Sequence, residues 1–248
     1  MAFFSGARVY ELILTKWCDN ILIVSEYAAI IGGRIFMLRQ ITLYFQTESD
    51  RWLTMLADHL LVSAASLVIA VLIAVPTGIL CIRYHRLKKV FVAIFGTLRI
   101  IPSLAVLLLM LPVMGTGFWP AVTALVLLAV PPVLINTIAG LDAVPDFMLE
   151  TARGMGMEAY QVWLMVRLPL ALPLVLSGIR TSAVEIIASA ALASKIGAGG
   201  FGELIFTGIG LFQTDLLLIG GGSVAILSLL TGLFFGGVSR ALLRYENR

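Results

Sequence analysis

Charge is what this sequence lacks most. Only 12% of its 248 residues are Asp, Glu, Lys or Arg, against roughly 25% in soluble domains, while 60% are hydrophobic and the mean hydropathy is +1.04. Between Ile100 and Leu141 there is no charged side chain at all. Such a run is too long for one membrane span of roughly 20 residues and about right for two. A soluble globular domain is excluded. Cysteine and histidine are nearly absent too. Cys18 and Cys81 lie far apart and outside any CxxC, so neither a disulfide framework nor a metal site follows. His59 and His85 each flank an apolar run and read as interfacial residues rather than ligands. No Walker A lysine loop, GxSxG or His-rich pattern occurs, so the chain is not read as an enzyme, and it holds no cofactor or metal of its own. The net charge of +3 is small, and the basic residues cluster in short segments between apolar runs. That is the positive-inside bias of membrane proteins, not a nucleic-acid footprint.

Backbone groups in a bilayer must be satisfied internally, so the apolar runs predict helices. The fold class is therefore all-α, a polytopic membrane helix bundle of about five core spans with a possible sixth at the N-terminus. Spans are expected near Leu60–Ile82, Leu98–Val113, Ala121–Ile138, Leu170–Ala193 and Leu216–Val238. Pro76, Pro102 and the Pro131-Pro132 pair interrupt three of them. Arg99 is expected to snorkel from the cytoplasmic end of the second. Residues 1–56 form a separate N-terminal segment, interfacial or carrying one extra span over residues 20–38. Residues 57–240 form the transmembrane domain, and 241–248 a cytoplasmic tail.

The segment Arg83-Tyr84-His85-Arg86-Leu87-Lys88-Lys89, Arg153, Arg167 and the arginines of the C-terminal tail fall on one side of the alternating spans. Lys195 stands alone in the loops of the other side. The basic side is cytoplasmic. Gly115-Thr116-Gly117 is then an external turn, and so is the glycine-rich segment from Gly197 to Gly202, whose context lacks the strand a nucleotide loop needs. Gly232 and Gly236 make a GxxxG in the last span, a weak packing signal.

The cytoplasmic segment 140–168 carries the most information. Pro145-Asp146 starts a helix, and two short helices are expected to meet near Gly156. Phe147, Met148, Leu149, Met155, Met157, Tyr160 and Trp163 give the pair more apolar surface than a solvated loop leaves bare. That surface suits a partner's groove, or packing beneath the chain's own spans. The order Glu150-Thr151-Ala152, three residues, Gly156, nine residues, Val166-Arg167-Leu168-Pro169 resembles the "EAA" signature of permeases in binding-protein-dependent ATP-binding-cassette importers. Thr151 replaces an Ala and Val166 an Ile. The stretches Ile101–Ala105, Glu150–Pro173, Gly178–Thr181 and Ile196–Gly202 further resemble permeases of the glycine betaine/carnitine/choline (osmoprotectant) uptake family over roughly residues 52–240.

That resemblance implies the methionine-type permease fold and residence in the bacterial cytoplasmic membrane. It implies two ATPase subunits carrying ATP-Mg, a second permease chain, identical or not, and an external substrate-binding protein. It places ATPase coupling on Glu150, Ala152, Gly156, Leu168 and Pro169. Arg99 and Glu185 depart from the family pattern. For the translocation path the candidates are Glu185, Arg180, Pro102 and Ser103. Glu185 would attract a quaternary amine, whereas Arg180 fits a structural ion pair with a neighbouring span at least as well. The rival class is an ion-coupled secondary transporter, against which stands the absence of a visible inverted repeat.

The assigned orientation predicts labelling from opposite sides. With Cys18 and Cys81 changed to Ser, Thr116→Cys should react with a membrane-impermeant maleimide in intact cells, and Met155→Cys only after permeabilisation. The reverse pattern would invert the topology.

Overall fold

The computed structural model of the chain describes residues 39–243. Expectations for residues 20–38 and for the extreme C-terminus therefore lie outside the described residues. The chain divides into two units at Ser49/Asp50. Of the first, residues 39–47 are helical. The second unit carries everything that follows.

The described part of the second unit is built of helices joined by short turns. Helix α1 spans Ser49–Arg83, α2 His85–Leu98, α3 Ser103–Met114 and α4 Phe118–Asp142. The short α5 (Asp146–Gly154) and the single turn α6 (Ala159–Gln161) follow. A π-helical stretch, Val162–Arg167, leads without a break into α7 (Leu168–Ala193); α8 (Gly202–Leu211) and α9 (Thr214–Leu242) complete the unit. Four helical segments are long and apolar enough to cross a membrane: α1, α4, residues 159–196 and α9; α2 and α3 make a fifth if the bent pair is one span.

The second span differs from its expectation. It does not begin at Leu98. Its helix starts at His85, so most of the basic segment 83–89 is the first turn of α2 rather than a loop. The axis then bends by 97° between α2 and α3. Pro102 is the physical cause. It has no N–H to continue the ladder, and it pushes Ile101 out of the helical region. The amides of Ile100 and Ile101 close tight turns on Thr97 and Leu98, and α3 restarts from the carbonyl of Pro102. Arg99 thus sits at the break, as the C-terminal cap of α2, about 21 Å from its start at 1.5 Å per residue.

The core is built around α4. Most of its residues are buried, including Leu125, Val133 and Leu134. It packs chiefly against α7, with α1 and α3 completing the cluster. Small residues let the helices touch backbone to backbone. A Cβ on Gly178 of α7 would lie 2.7 Å from Asn136 Cβ and 2.9 Å from the Pro132 carbonyl. On the α4 side, one on Gly140 would lie 2.7 Å from the Ala171 carbonyl. Apolar association gains little between helices already in lipid, so close van der Waals packing and interhelical hydrogen bonds hold them together. Ser182 supplies one such bond, its hydroxyl donating to the Ala129 carbonyl at 2.8 Å.

At the other end of α7 the glycine-rich segment is a fitted turn. Gly197, Gly199 and Gly200 take positive φ, and Gly199 and Gly200 lie against Asp58 and His59 of α1. Phe201 is wholly buried there, its ring 5.3 Å from Trp52 and 5.5 Å from His59. His59 is consequently 1% exposed, and its Nε2 lies 3.1 Å from the Ile187 carbonyl. It is a core residue, not an interfacial one. Helix α8 is a further addition to the expected elements. At 10 residues it is too short to span, and Gly208 and Gly210 blur its pattern.

Overpacking a backbone crossing costs about 1–3 kcal/mol. Gly178→Leu should therefore lower the thermal midpoint of the detergent-purified protein by roughly 3–10 °C. Gly237→Ala, with nothing within 4 Å of its added carbon, should leave it nearly unchanged.

Candidate coupling loop and translocation cavity

The cytoplasmic segment folds as a compact hairpin of helices. Helix α5 begins directly after Pro145, with Asp146 in its first turn and Arg153 in its last, which matches both ends of the helix dipole. It ends at Gly154 with Met155 as its cap, and Gly156 just beyond takes a φ of +88° that is open to glycine at no steric cost. The Gly156 and Met157 amides donate to the carbonyls of Arg153 and Ala152 at 2.9 and 3.2 Å. The chain re-enters a helix at once through a capping box. The Glu158 side chain accepts from a backbone amide, and Gln161 Oε1 accepts from the Glu158 amide at 2.9 Å. The widened π turn at Val162–Arg167 stands immediately before Pro169, whose ring lacks the N–H and crowds the preceding turn.

A small separate core anchors this hairpin. Leu141, Val144, Leu149, Ala152, Val162 and Ala171 are buried together, with Ile79 and Ile82 of α1, Met157 and Trp163 packed on them. Arg167 locks the junction. Its Nε and Nη2 donate to the Leu141 carbonyl at 3.3 and 3.2 Å, and its guanidinium lies 5.4 Å from the centre of the Trp163 ring. Lys88 of α2 donates to Asp142 at the end of α4.

The structure sorts the signature residues by exposure. Glu150 and Gly156 face outward, Leu168 and Pro169 are half-buried at the start of α7, and Ala152 is buried in the hinge core. The apolar residues divide in the same way. Leu149 is inside, and Met157 and Trp163 lie against the small core. Phe147, Met155 and Tyr160 are 64–69% exposed, as Glu150 and Gly156 are exposed.

The path candidates fall into two places. A cavity of about 370 Å³ opens at the break between α2 and α3 and is lined by Arg99, Pro102, Ser103, Pro131, Glu185 and Ser189. Unwound backbone at membrane depth is tolerated where it borders a cavity. Pro131 and Pro132 add to the polarity of the wall. Proline has no N–H to reach the carbonyls four residues back, those of Leu127 and Leu128, and both residues line the cavity. One acid and one base face this space, and the Arg99 charge acts on Glu185. Arg180 is elsewhere. Five residues on a helix turn the side chain by about 140°, and Arg180 lines a different recess with Gly236 and Arg240 of α9. Among the described residues it makes no ion pair with a neighbouring span. Arg99 closes α2 as its C-terminal cap, three residues before Pro102 and at the wall of the cavity.

These features describe a polytopic membrane protein with a compact hairpin of short helices between its long helices α4 and α7. The family profile described as "Binding-protein-dependent transport system inner membrane component" matches residues 70–244. The chain belongs to this family of inner-membrane permeases of ATP-binding-cassette importers. It is 38% identical over 196 residues to the carnitine transport permease protein OpuCB of Listeria monocytogenes, covering 79% of this chain and 90% of that one. The glycine betaine/carnitine/choline transport system permease protein OpuCB of Bacillus subtilis is 36% identical, with 78% and 89% covered. The osmoprotectant import permease protein OsmY of Salmonella typhimurium is 37% identical over 186 residues, with 74% and 79% covered. The fold matches a chain of the MetNI methionine transporter in an inward-facing conformation, with a TM-score of 0.70 at 23% identity over 79% of this chain and 99% of that chain. The methionine-type permease fold is thus present, and nothing in these likenesses supports an ion-coupled secondary transporter.

The hinge core carries its own prediction. Ala152→Leu adds three carbons to a filled site and should cost about 1–3 kcal/mol. Limited proteolysis of the purified chain should then cut faster between Asp146 and Gln161, with cleavage elsewhere little changed.

Proposed function

We propose that this chain translocates a small quaternary amine, of the glycine betaine, carnitine or choline class, inward across the bacterial membrane. ATP-Mg would be hydrolysed on two partner ATPase subunits, with a second permease chain beside this one and an external binding protein delivering substrate. The carrying observation is the 33–38% identity to permeases of these osmolytes over most of the chain. The cavity supports the reading independently. It holds Glu185, whose carboxylate attracts a quaternary ammonium group, and Arg99, whose guanidinium matches the carboxylate of a zwitterion such as glycine betaine or carnitine. Pro102 and Ser103 shape the same wall, so the path is assigned to Glu185, Arg99, Pro102 and Ser103. Arg180 is left out of it.

Coupling is assigned to segment 140–168 within the permease domain 57–240, flanked by the separate segment 1–56 and the tail 241–248. Phe147, Met155 and Tyr160 would sit in a groove of the ATPase, with Glu150 as the polar contact. Ala152, Leu168 and Pro169 act from beneath, by holding the hairpin to α7. ATP-driven movement of the partner would displace the turn at Gly156, and the spans would follow as rigid bodies.

Two measurements test this reading. An ATPase subunit should co-purify with the tagged chain from detergent-solubilised membranes, and Glu150→Lys with Gly156→Leu should reduce its recovery at least about tenfold. A chain that emerges alone from several mild detergents would refute the coupling assignment. In proteoliposomes of the whole importer, Glu185→Gln should lower glycine betaine uptake about tenfold, since one charge-assisted contact is worth about 1.5–3 kcal/mol. Unaltered uptake would remove Glu185 from the path.

A further inference from the structure

The recess around Arg180 lies outside the path and the coupling segment proposed above. It measures about 360 Å³ and is walled by Leu176, Ser177, Arg180, Leu233, Ser239 and Arg240 over the bare backbone of Gly232 and Gly236. Among the described residues its charge is of one sign: two arginines, no acid. The Arg180 guanidinium rests on α9 where Gly236 offers no side chain, and a Cβ there would come within 3.5 Å of it. Arg240 is fixed by its Nε donating to the Gly236 carbonyl at 3.3 Å. Two neighbouring cations repel each other in a medium of low dielectric, so the arrangement calls for an anion between them.

The depth indicates which anion. Gly236 lies six residues before the end of α9, about 9 Å along the axis. Arg180 therefore starts below the cytoplasmic surface, and its long side chain reaches toward the headgroups. The hydroxyls of Ser177 and Ser239 add donors at the same level. The other end of the recess is apolar, with Leu176, the 56% exposed Leu233 and, one turn further along α9, the 63% exposed Leu229.

We infer that this recess binds an anionic phospholipid of the cytoplasmic leaflet, its phosphate held between Arg180 and Arg240 and an acyl chain laid along Leu233 and Leu229. A free phosphate would use the arginines but not the leucines. An acidic side chain of a second permease chain would use the charge without the lipid. Basic pockets between helices on the cytoplasmic side suit such headgroups, and the glycines of the GxxxG thereby open a lipid site as well as a helix contact.

The test is native mass spectrometry of the full-length chain with its co-purifying subunits, in mild detergent, titrated with phosphatidylglycerol or phosphatidylcholine. Phosphatidylglycerol should be retained at least about tenfold better. Arg180→Gln and Arg240→Gln should each abolish the preference, and Arg180→Lys should keep part of it, which separates charge from folding. Equal retention of the two lipids, or full retention by the double Gln variant, would overturn the inference. Displacement of the lipid by excess inorganic phosphate would replace it with a simple anion site. A Ser239→Cys variant that forms a disulfide between two copies of this chain would replace it with a permease–permease contact.

Discussion

The backbone crossing of α4 and α7 is the contact on which the rest of the molecule depends. Gly178 meets Pro132 and Asn136, Gly140 meets Ala171, and neither position has room for a Cβ. In a bilayer there is no hydrophobic gain from hiding leucine among lipid tails, so an approach this close does the work that core burial does in water. The crossing joins the hairpin to the cavity. One end of it carries the α5–α6 hairpin through Leu141 and Ala171. Pro131 and Glu185, from the same two helices, form part of the cavity wall.

This arrangement accounts for how motion at the hairpin would reach the cavity without a flexible linker. The hairpin cannot slide freely on α7, because Arg167 ties its base to the Leu141 carbonyl and the helix runs unbroken from residue 159 to residue 196. Its compliant parts are local: the glycine turn at 156 and the π turn before Pro169. Across the cavity, the α2–α3 break is held by single turn hydrogen bonds at Ile100 and Ile101, while α3 packs on α4 and α7 with Val106 and Leu107 buried in the core.

Much of this was legible in the sequence, for physical reasons that also explain what was not. Apolar runs mark spans because lipid leaves the backbone no other choice, and the spacing from Glu150 to Pro169 marks the hairpin because each residue in it has a geometric task. Gly156 makes the turn and Pro169 breaks the ladder. The basic segment 83–89 reads as a loop in the sequence, yet from His85 onward it opens α2, and the bend between α2 and α3 falls at Pro102. The five-residue spacing already kept Arg180 and Glu185 off one helix face, and rotation about the axis sends them to separate cavities. Burial of His59 was invisible, because the residues that cover it, Phe201 and the glycine turn, lie far along the chain. Helix α8, at 10 residues, falls below what periodicity resolves.

The account rests on α4 and α7 moving as one body while the cavity changes width. Spin labels at Ala139 and Leu174, exposed on α4 and α7, report the crossing; labels at Ile101 and Ala188 report the cavity. Electron paramagnetic resonance on the assembled importer, with and without vanadate-trapped nucleotide, would compare the two pairs. The account predicts an unchanged Ala139–Leu174 distance and a shifted Ile101–Ala188 distance. A shift across the crossing with a static cavity would contradict it.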